Sequence, residues 1–234
     1  MNSFAQRSNQ KELIDDLNCD GEELRQTLRE LKTINKLLGG NYVTTDGINQ
    51  LLNHDTSSKV SIADIGCGGG DMIRVMHNWS QKKKLNASFV GIDANPNTIA
   101  MAADNLRDLP NVRFEAADVF DTTFQHQQVD IVTCTLFTHH FTDEELIRMF
   151  RSFKNKAKIG MVINDLHRHP LAFHSIKFLT RLFSKSRLVI NDAPISVQRG
   201  FRKKELKEIL HRAGWENFRI SWHWAFRWQV VGIR

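Results

Sequence analysis

The feature that most constrains the fold is a short apolar run that ends directly in a cluster of glycines. The run is Val60–Ile65, and Gly66-Cys67-Gly68-Gly69-Gly70-Asp71 follows it. Because glycine adopts backbone conformations that other residues avoid, the chain can turn sharply here and a ligand can lie against bare backbone. A helix is predicted from Asp71 to Gln81. A strand, a glycine turn and a helix in this order are typical of a nucleotide-binding α/β unit.

Strand and helix patterns alternate beyond this turn. The predicted strands are Val60–Ile65, Ser88–Ile92, Val112–Ala116, Val129–Leu136 and Ile159–Asn164, and the helices between them are Asp71–Gln81, Pro96–Leu106 and Asp143–Asn155. This alternation predicts a parallel, doubly wound sheet with right-handed crossovers.

The two ends of the chain depart from this rhythm. Helices are predicted over residues 10–38 and over Thr45–Leu52, and Lys203–Ala213 is a further helix before one or two strands in Arg219–Val231. We predict one domain of residues 1–234. Its parts are a helical N-terminal cap (1–58), a ligand-binding core (59–165), and an insert with sheet closure (166–234).

The charge of the 234-residue chain is divided unevenly. Residues 1–150 hold 14 Lys and Arg against 21 Asp and Glu, a net of −7, whereas residues 151–234 hold 18 against 5, a net of +13. The basic part suggests an anionic partner such as nucleic acid or a membrane surface, and an ordinary solvated surface is the alternative.

The cysteines and the chain start suggest a reducing compartment. Cys19, Cys67 and Cys134 are far apart, which argues against a disulfide framework or a zinc site. The first ten residues lack the apolar segment of a signal peptide, and no stretch approaches the length of a spanning helix. We therefore expect a cytoplasmic protein, with peripheral membrane contact as a further expectation.

The glycine loop does not fit a dinucleotide. The G-x-G-x-x-G pattern needs a third glycine, but Asp71 or Ile73 occupies that position, depending on which glycine starts the pattern. Three acidic residues, Asp64, Asp93 and Asp118, lie in or just after the first three strands. Carboxylates repel a pyrophosphate and attract a cation, so a cationic nucleotide ligand is favoured.

Four motifs in order resemble the class I S-adenosylmethionine-dependent methyltransferases. They are D-I-G-C-G-G-G, then G-I-D, then A-A-D-V-F, then V-D-I-V-T-C-T-L-F-T-H-H-F, within residues Val60 to Asp165. The resemblance implies a Rossmann-like, seven-stranded doubly wound sheet with S-adenosylmethionine as cofactor. It implies these cofactor-binding residues: Asp64, Gly66, Cys67, Gly68, Asp93, Ala94, Asp118, Val119 and Thr135.

The rest of the chain is similar to the branch that methylates ubiquinone and menaquinone precursors and other phenols. The shared features are the helical cap, the insert after strand 5 and the segment Phe201–Trp215. One departure is Lys156-Ala157-Lys158-Ile159-Gly160, where many relatives have a Pro-Gly-Gly turn. The resemblance implies a small, lipophilic phenol or quinol acceptor, with O-methylation favoured over C-methylation.

Transfer to a hydroxyl needs a general base, and histidine suits this role near neutral pH. The candidates are His139 and His140 after strand 4 and His167 after strand 5, and each has a structural role as its alternative. A metal cluster formed by Asp165, His167 and His169 is a further alternative, which we do not favour.

The segment Leu171–Phe183 is either a core helix or a hydrophobic lid near a membrane interface, with Lys185 and Arg187 beyond it. Trp222, Trp224 and Trp228 are predicted on one face of a strand.

The sequence also permits two other functions. The basic part permits an RNA methyltransferase, but Thr135-Leu-Phe-Thr-His-His140 contains no base-flipping motif and no RNA-binding module is appended, so nucleic acid is not the favoured partner. A non-catalytic cofactor-binding protein is the second alternative, and the intact glycine loop and acidic residues disfavour it.

Overall fold

The computed structural model describes residues 4–53, 59–121 and 128–234. These residues fold around one seven-stranded sheet. The strands are β1 Val60–Ile65, β2 Ala87–Asp93, β3 Val112–Ala116, β4 Val129–Thr135, β5 Ala157–Leu166, β6 Phe218–His223 and β7 Arg227–Ile233. Their order is β3-β2-β1-β4-β5-β7-β6; β1 to β5 pair in parallel, and β7 is antiparallel to β5 and β6. The predicted Rossmann-like doubly wound sheet is confirmed.

Helices cover this sheet and extend beyond it. The α-helices of the described residues are α1 Gly21–Leu37, α2 Gly40–Leu51, α3 Asp71–Lys83, α4 Pro96–Asn105, α5 Asp143–Lys156, α6 Pro170–Phe183, α7 Arg187–Arg199 and α8 Lys203–Arg212. Leu13–Asp15 and Thr138–His140 form short 3₁₀ helices. No helix among the described residues combines the length and apolar character needed to cross a bilayer.

Apolar side chains pack on both faces of the sheet, as expected for parallel strands with helices on either side. Phe150 and Phe153 of α5 pack in one core with Trp215, whose indole N–H donates to the Phe150 carbonyl at 2.9 Å. Ile48 of α2 and Met76 of α3 belong to the other core. This packing fixes the strand ends, where ligand-binding residues of such sheets lie.

The N-terminal segment (residues 4–20) and the insert after β5 meet over the strand ends. The Ser8 N–H donates to the Gln198 carbonyl at 3.0 Å, and the Asp192 carboxylate of α7 accepts the N–H groups of Leu13 and Ile14 at 2.9 and 3.0 Å. The N-terminal segment therefore forms a wall opposite the strand ends. Residues 1–3 and 54–58 of the predicted cap lie outside the described residues.

Three local predictions are wrong. The first α-helix begins at Gly21 and not at residue 10, and within residues 10–20 only Leu13–Asp15 form a short 3₁₀ helix. The second helix begins at Gly40 and not at Thr45, because Gly39 adopts a left-handed conformation (φ 73°) that turns the chain directly from α1 into α2. The three tryptophans do not share one strand: Trp222 of β6 pairs with Trp228 of β7, and Trp224 lies in the turn between them. Even spacing cannot reveal where a chain reverses.

Candidate active site

A cavity of about 1480 Å³ lies at the carboxyl ends of β1, β2 and β4. The strand order reverses between β1 and β4, which is where open α/β sheets place their ligands. The glycine loop after β1 forms part of its wall, and Gly66 and Gly68 both have positive φ angles, 68° and 52°. A Cβ atom on Gly66 would meet the Phe137 ring at 2.0 Å, whereas one on Gly68 would meet nothing closer than 3.7 Å.

Replacing Gly66 with alanine should therefore destabilise the fold by about 1–3 kcal/mol through overpacking and backbone strain. Gly21→Ala is the matched control, because Gly21 has a similar φ of 74° but a Cβ atom added there would meet nothing within 4 Å. Denaturant unfolding of both variants measures the difference. Equal losses for the two variants would show that the contact with Phe137 has no effect.

The three predicted carboxylates all line this cavity. Asp64 is buried, and the Thr133 hydroxyl donates to it at 2.8 Å. Burial raises the pKa of Asp64 to about 7, with the nearby Asp93 adding to the shift. Burial also raises the pKa of Asp93, whose carboxylate accepts the N–H groups of Asn95 and Gly68 at 3.0 and 3.1 Å. Asp118 is exposed and accepts the Phe120 N–H at 2.9 Å.

The other predicted cofactor residues also border the cavity: Cys67, Ala94, Val119 and Thr135. This arrangement fits S-adenosylmethionine. The glycine loop leaves room against the backbone, Asp93 offers a carboxylate suited to ribose hydroxyls, and buried Asp64 has only one hydrogen-bond donor among the described residues. A cation beside Asp64 would favour its ionised form.

His139 lies on the cavity wall but both of its ring nitrogens face carboxyl groups. Nδ1 is 2.7 Å from Oδ1 of Asp165, and Nε2 is 3.5 Å from Oε1 of Glu12. Asp165 also accepts the Thr138 hydroxyl at 2.6 Å. Burial alone would raise the pKa of Asp165, but the His139 charge and these hydrogen bonds hold it well below its usual range. The ring of His139 is thus fixed in place.

His140 has a different environment. Its Nδ1 is 2.5 Å from Oδ1 of Asp15, and its Nε2 has no hydrogen-bond partner among the described residues. The side chain is 19% exposed, against 3% for His139. Although burial opposes it, the hydrogen bond and charge of His140 lower the pKa of Asp15 to about 2. His140 therefore presents a carboxylate-oriented imidazole to the cavity.

Glu12 lies between the two histidines. Its Oε2 accepts the Ser196 hydroxyl at 2.6 Å, and its buried Oε1 has no hydrogen-bond partner, although it is 3.8 Å from Nδ1 of His140. Burial raises the pKa of Glu12 to about 7. A carboxyl group with this pKa is partly protonated near neutral pH.

Two arginines hold this cluster together. Arg199 donates to the His139 carbonyl at 3.0 Å and to Asp15 at 3.0 Å, and it also bonds the His140 carbonyl. Arg7 donates to the carbonyls of His139 and Phe141 at 3.1 and 2.8 Å. The backbone of the histidine pair is therefore fixed by charged donors.

The side chains of Glu12, His139 and His140 also have the spacing of a metal-ligand set, since one ligand atom of each lies within 4.8 Å of the others. We interpret the cluster as an acid–base network instead. The Arg199 guanidinium is 3.7 Å from Glu12, and Asp15 already engages the His140 nitrogen closest to Glu12. The absence of a metal stays a prediction.

The structure does not bring His167 to the cavity, unlike His139 and His140. The Trp222 indole N–H donates to Nδ1 of His167 at 3.2 Å, and the imidazole ring packs against Trp228 and His169. Burial, with the nearby His169 and Arg168, lowers the pKa of His167. These contacts give His167 a packing role at the β6–β7 hairpin.

Replacing Glu12 with glutamine should flatten the pH dependence of stability between about pH 4.5 and 7. The folded pKa of Glu12 is raised from 4.5 to about 7, so its contribution is fully present below 4.5 and is lost as the pH rises through 7. The groups that face Glu12 are His139, His140, Arg199 and Asp15. As the pH rises across this window, the free energy of unfolding should fall by roughly 1–3 kcal/mol more in the wild type than in the variant.

Urea unfolding at several pH values measures this slope, and Glu208→Gln on the exposed side of α8 is the matched control. Equal slopes for wild type and Glu12→Gln would contradict the pKa assigned to Glu12. A difference in the free energy of unfolding that is the same at every pH would not affect the test, because only the change of this free energy with pH reports the ionisation of Glu12.

The sequence did not reveal Glu12 or Arg199 as residues of the site, and it did not reveal Asp15 as a partner of His140. Asp15 and His140 are 125 residues apart, and Glu12 and Ser196 are 184 apart. The only signal in the sequence is a run of charged residues in an N-terminal stretch with few apolar ones. That pattern is also typical of a solvated surface.

Comparisons with known proteins agree with this geometry. Residues 62–160 match a family described as "Methyltransferase domain". The ubiquinone/menaquinone biosynthesis C-methyltransferase UbiE of Campylobacter jejuni is 24% identical over 169 residues, which are 67% of this chain and 71% of that protein. An mRNA cap guanine-N(7) methyltransferase of Cryptococcus neoformans is 29% identical over 111 residues, 46% of this chain, and the chain spans only 17% of its length.

The fold also matches solved structures. The plantazolicin methyltransferase BpumL, solved in complex with S-adenosylhomocysteine, superposes with a TM-score of 0.66 at 16% identity and 89% coverage of both chains. These matches confirm the resemblance to methyltransferases seen in the four motifs, and the fold match agrees with the seven-stranded sheet. The chain carries a methyltransferase domain over residues 62–160 and has the fold of the class I S-adenosylmethionine-dependent methyltransferases, with S-adenosylmethionine as its cofactor.

Proposed function

We propose that this protein transfers a methyl group from S-adenosylmethionine to the hydroxyl of a small, lipophilic phenol or quinol. The observation that carries the proposal is the His140 imidazole on the cavity wall, held at Nδ1 by Asp15 and free at Nε2 among the described residues. The cofactor supplies an electrophilic methyl group. The remaining task for the protein is to align the acceptor and remove its proton, and alignment can supply roughly 7–11 kcal/mol.

The proposed cofactor contacts follow the strand ends. Asp93 would hold the ribose hydroxyls, and Asp118 the adenine amino group. Gly66 and Gly68 would lie against the methionine end, with Asp64 near its ammonium. Cys67, Ala94, Val119 and Thr135 complete this wall of the cavity.

His140 is the proposed general base. Its Nε2 would accept the hydroxyl proton as the acceptor oxygen takes the methyl group, the sulfur–methyl bond breaks and S-adenosylhomocysteine leaves, and Asp15 would stabilise the imidazolium that results. His139 is a positioning residue in this mechanism, because Asp165 is hydrogen-bonded to its Nδ1 and the Glu12 carboxyl group lies 3.5 Å from its Nε2. His167, which lies off the cavity, has no part in the proposed reaction.

The acceptor side of the cavity supports a lipophilic substrate. Its wall includes apolar side chains from α1, α6 and α7, among them Leu31, Ile176, Leu179, Leu188 and Val189. An apolar wall with a few directed polar groups is typical of a small-molecule site. UbiE is named for ubiquinone and menaquinone biosynthesis, which is consistent with this substrate class.

A screen with isotope-labelled S-adenosylmethionine tests the proposal. The acceptors are alkyl phenols, quinols, fatty acids and RNA with and without a cap guanosine, the last because of the match to a cap methyltransferase. We expect label in phenols or quinols. Label in RNA alone would replace the proposal with an RNA methyltransferase, and the absence of label from every class, with cofactor bound, would favour a non-catalytic protein.

A further inference from the structure

Helix α6 exposes large apolar side chains to solvent on the side away from the core. Leu171, Phe178 and Leu182 are 60% exposed or more, and Phe183 at the end of the helix is 73% exposed. Residues 171, 178 and 182 are seven and four apart, so they lie on one stripe of the helix. Ala172 and Thr180 are buried on another side. Contiguous exposed apolar surface of this kind marks an interaction site.

The charged residues of this helix and of its sequence neighbours have one sign. Two acidic residues of α1 reach the end of the helix: Glu23 pairs with Arg187, and Glu30 accepts hydrogen bonds from the Ser184 hydroxyl and the Lys185 N–H. Residues 166–191 contain five Lys and Arg and no Asp or Glu. Lys177, Arg181 and Lys185 take part in no ion pair among the described residues, whereas Arg168 is buried against Glu205 and Arg187 pairs with Glu23. A helix with an apolar stripe and basic flanks binds the interface of an anionic membrane.

Exposed tryptophans continue the apolar surface beyond the helix. Trp224 is 69% exposed in the β6–β7 turn, and its ring lies 6.3 Å from Phe226, which stacks on His169 at 5.1 Å. His169 caps the start of α6 by accepting the Leu171 N–H. These contacts bring the turn beside the first residues of the helix. Tryptophan is enriched where proteins meet the headgroup region of a membrane.

The same two elements form one wall of the cavity. Ala172, Ile176 and Leu179 of α6 and Trp224 of the turn line it. A bilayer against the outer stripe of α6 would therefore adjoin the mouth of the acceptor site. A lipophilic acceptor could then reach the cavity without crossing water, where the exposure of its apolar chain is unfavourable.

We propose that the outer stripe of α6 (Leu171, Phe178 and Leu182), with Trp224 and the basic flank, docks this protein on an anionic lipid bilayer from which the acceptor enters. The proposal rests on the proposed function, because it explains how a lipophilic substrate reaches the cavity. It commits to a lipid surface because the flanking charge is of one sign, whereas a second copy would bring a like-charged face.

Vesicle flotation of the full chain tests this surface. We expect wild type to float with vesicles of phosphatidylcholine and phosphatidylglycerol in equal parts, and to bind less as salt increases. The double variant Phe178→Glu/Leu182→Glu should bind these vesicles at least about tenfold more weakly. Leu37→Glu is the matched control, because Leu37 is 76% exposed on α1 and lies off the cavity.

Methyl transfer to a short, water-soluble phenol tests the proposed function without the membrane. Phe178 and Leu182 do not line the cavity, so their replacement should not affect this reaction. The double variant should keep this transfer while losing vesicle binding and the faster methylation of a vesicle-embedded acceptor. Equal flotation of the double variant and wild type, or no flotation of wild type, would overturn the docking proposal. A wild-type dimer that the double variant dissociates would overturn it too and assign the stripe to a second copy.

Discussion

Replacing His140 with glutamine should lower kcat by about 10²–10⁴-fold while the affinity for S-adenosylhomocysteine changes by less than about twofold. Glutamine keeps polarity at this position but cannot take up a proton at neutral pH. His140 hydrogen-bonds to none of the predicted cofactor residues in the described part of the chain, and it acts on the pKa of Asp93 only through a charge interaction that ranks behind burial. The loss should therefore fall on the chemical step and not on cofactor binding.

His167→Gln is the matched control for this variant, because it makes the same change at a half-buried histidine that lies off the cavity. Asp15→Asn adds a second check, since it removes the carboxylate 2.5 Å from Nδ1 but leaves the imidazole. We expect Asp15→Asn to lower kcat less than His140→Gln and to alter the pH profile. Activity of His140→Gln within a few-fold of wild type would remove His140 from the proposed mechanism.

Replacing Asp93 with alanine should weaken the binding of S-adenosylhomocysteine by roughly 10–100-fold. Hydrogen bonds that involve a charged group contribute about 1.5–3 kcal/mol, and the half-buried Asp93 carboxylate would accept them from the ribose. The same change removes an acceptor for the Gly68 N–H at 3.1 Å, so the glycine loop also loses a support.

Asp104→Ala controls for net charge, because Asp104 is exposed on α4 and does not line the cavity. Calorimetric titration of both variants with S-adenosylhomocysteine measures the effect, after circular dichroism has shown that they fold. An unchanged dissociation constant for Asp93→Ala would contradict the assignment of Asp93 to the ribose.

The cofactor half of the site could be predicted because its determinants are local. The apolar run of β1 precedes its glycine loop directly, and Asp93 and Asp118 come at the end of β2 and just after β3. Parallel strands bring their carboxyl ends to one edge, so residues at strand ends converge whatever the rest of the chain does. A pattern that is read along the chain is sufficient for such a site.

The acid–base half could not be predicted in the same way. Asp15 reaches His140 because α7 anchors the N-terminal segment through Asp192. That anchoring depends on contacts between residues 178 or more positions apart, and no periodicity encodes them. The sequence could nominate histidines after β4 and β5, but only the packing separates His140 on the cavity from His167 off it.

The same limit applies to the charge asymmetry. The net of +13 over residues 151–234 indicates either an anionic partner, such as nucleic acid or a membrane surface, or an ordinary solvated surface. The structure adds that the stretch without acidic residues coincides with the exposed apolar stripe of α6. Apolar exposure beside basic flanks is typical of a lipid interface, whereas nucleic acid is bound mainly through its phosphates.

The most direct measurement of the central claim is the transfer of a trideuteromethyl group from labelled S-adenosylmethionine to an alkyl phenol, followed by mass spectrometry and NMR of the product. The proposed mechanism predicts a methyl ether with one label on the phenolic oxygen, formed by wild type and by His167→Gln but far more slowly by His140→Gln. A label on ring carbon, or equal rates for wild type and His140→Gln, would contradict it.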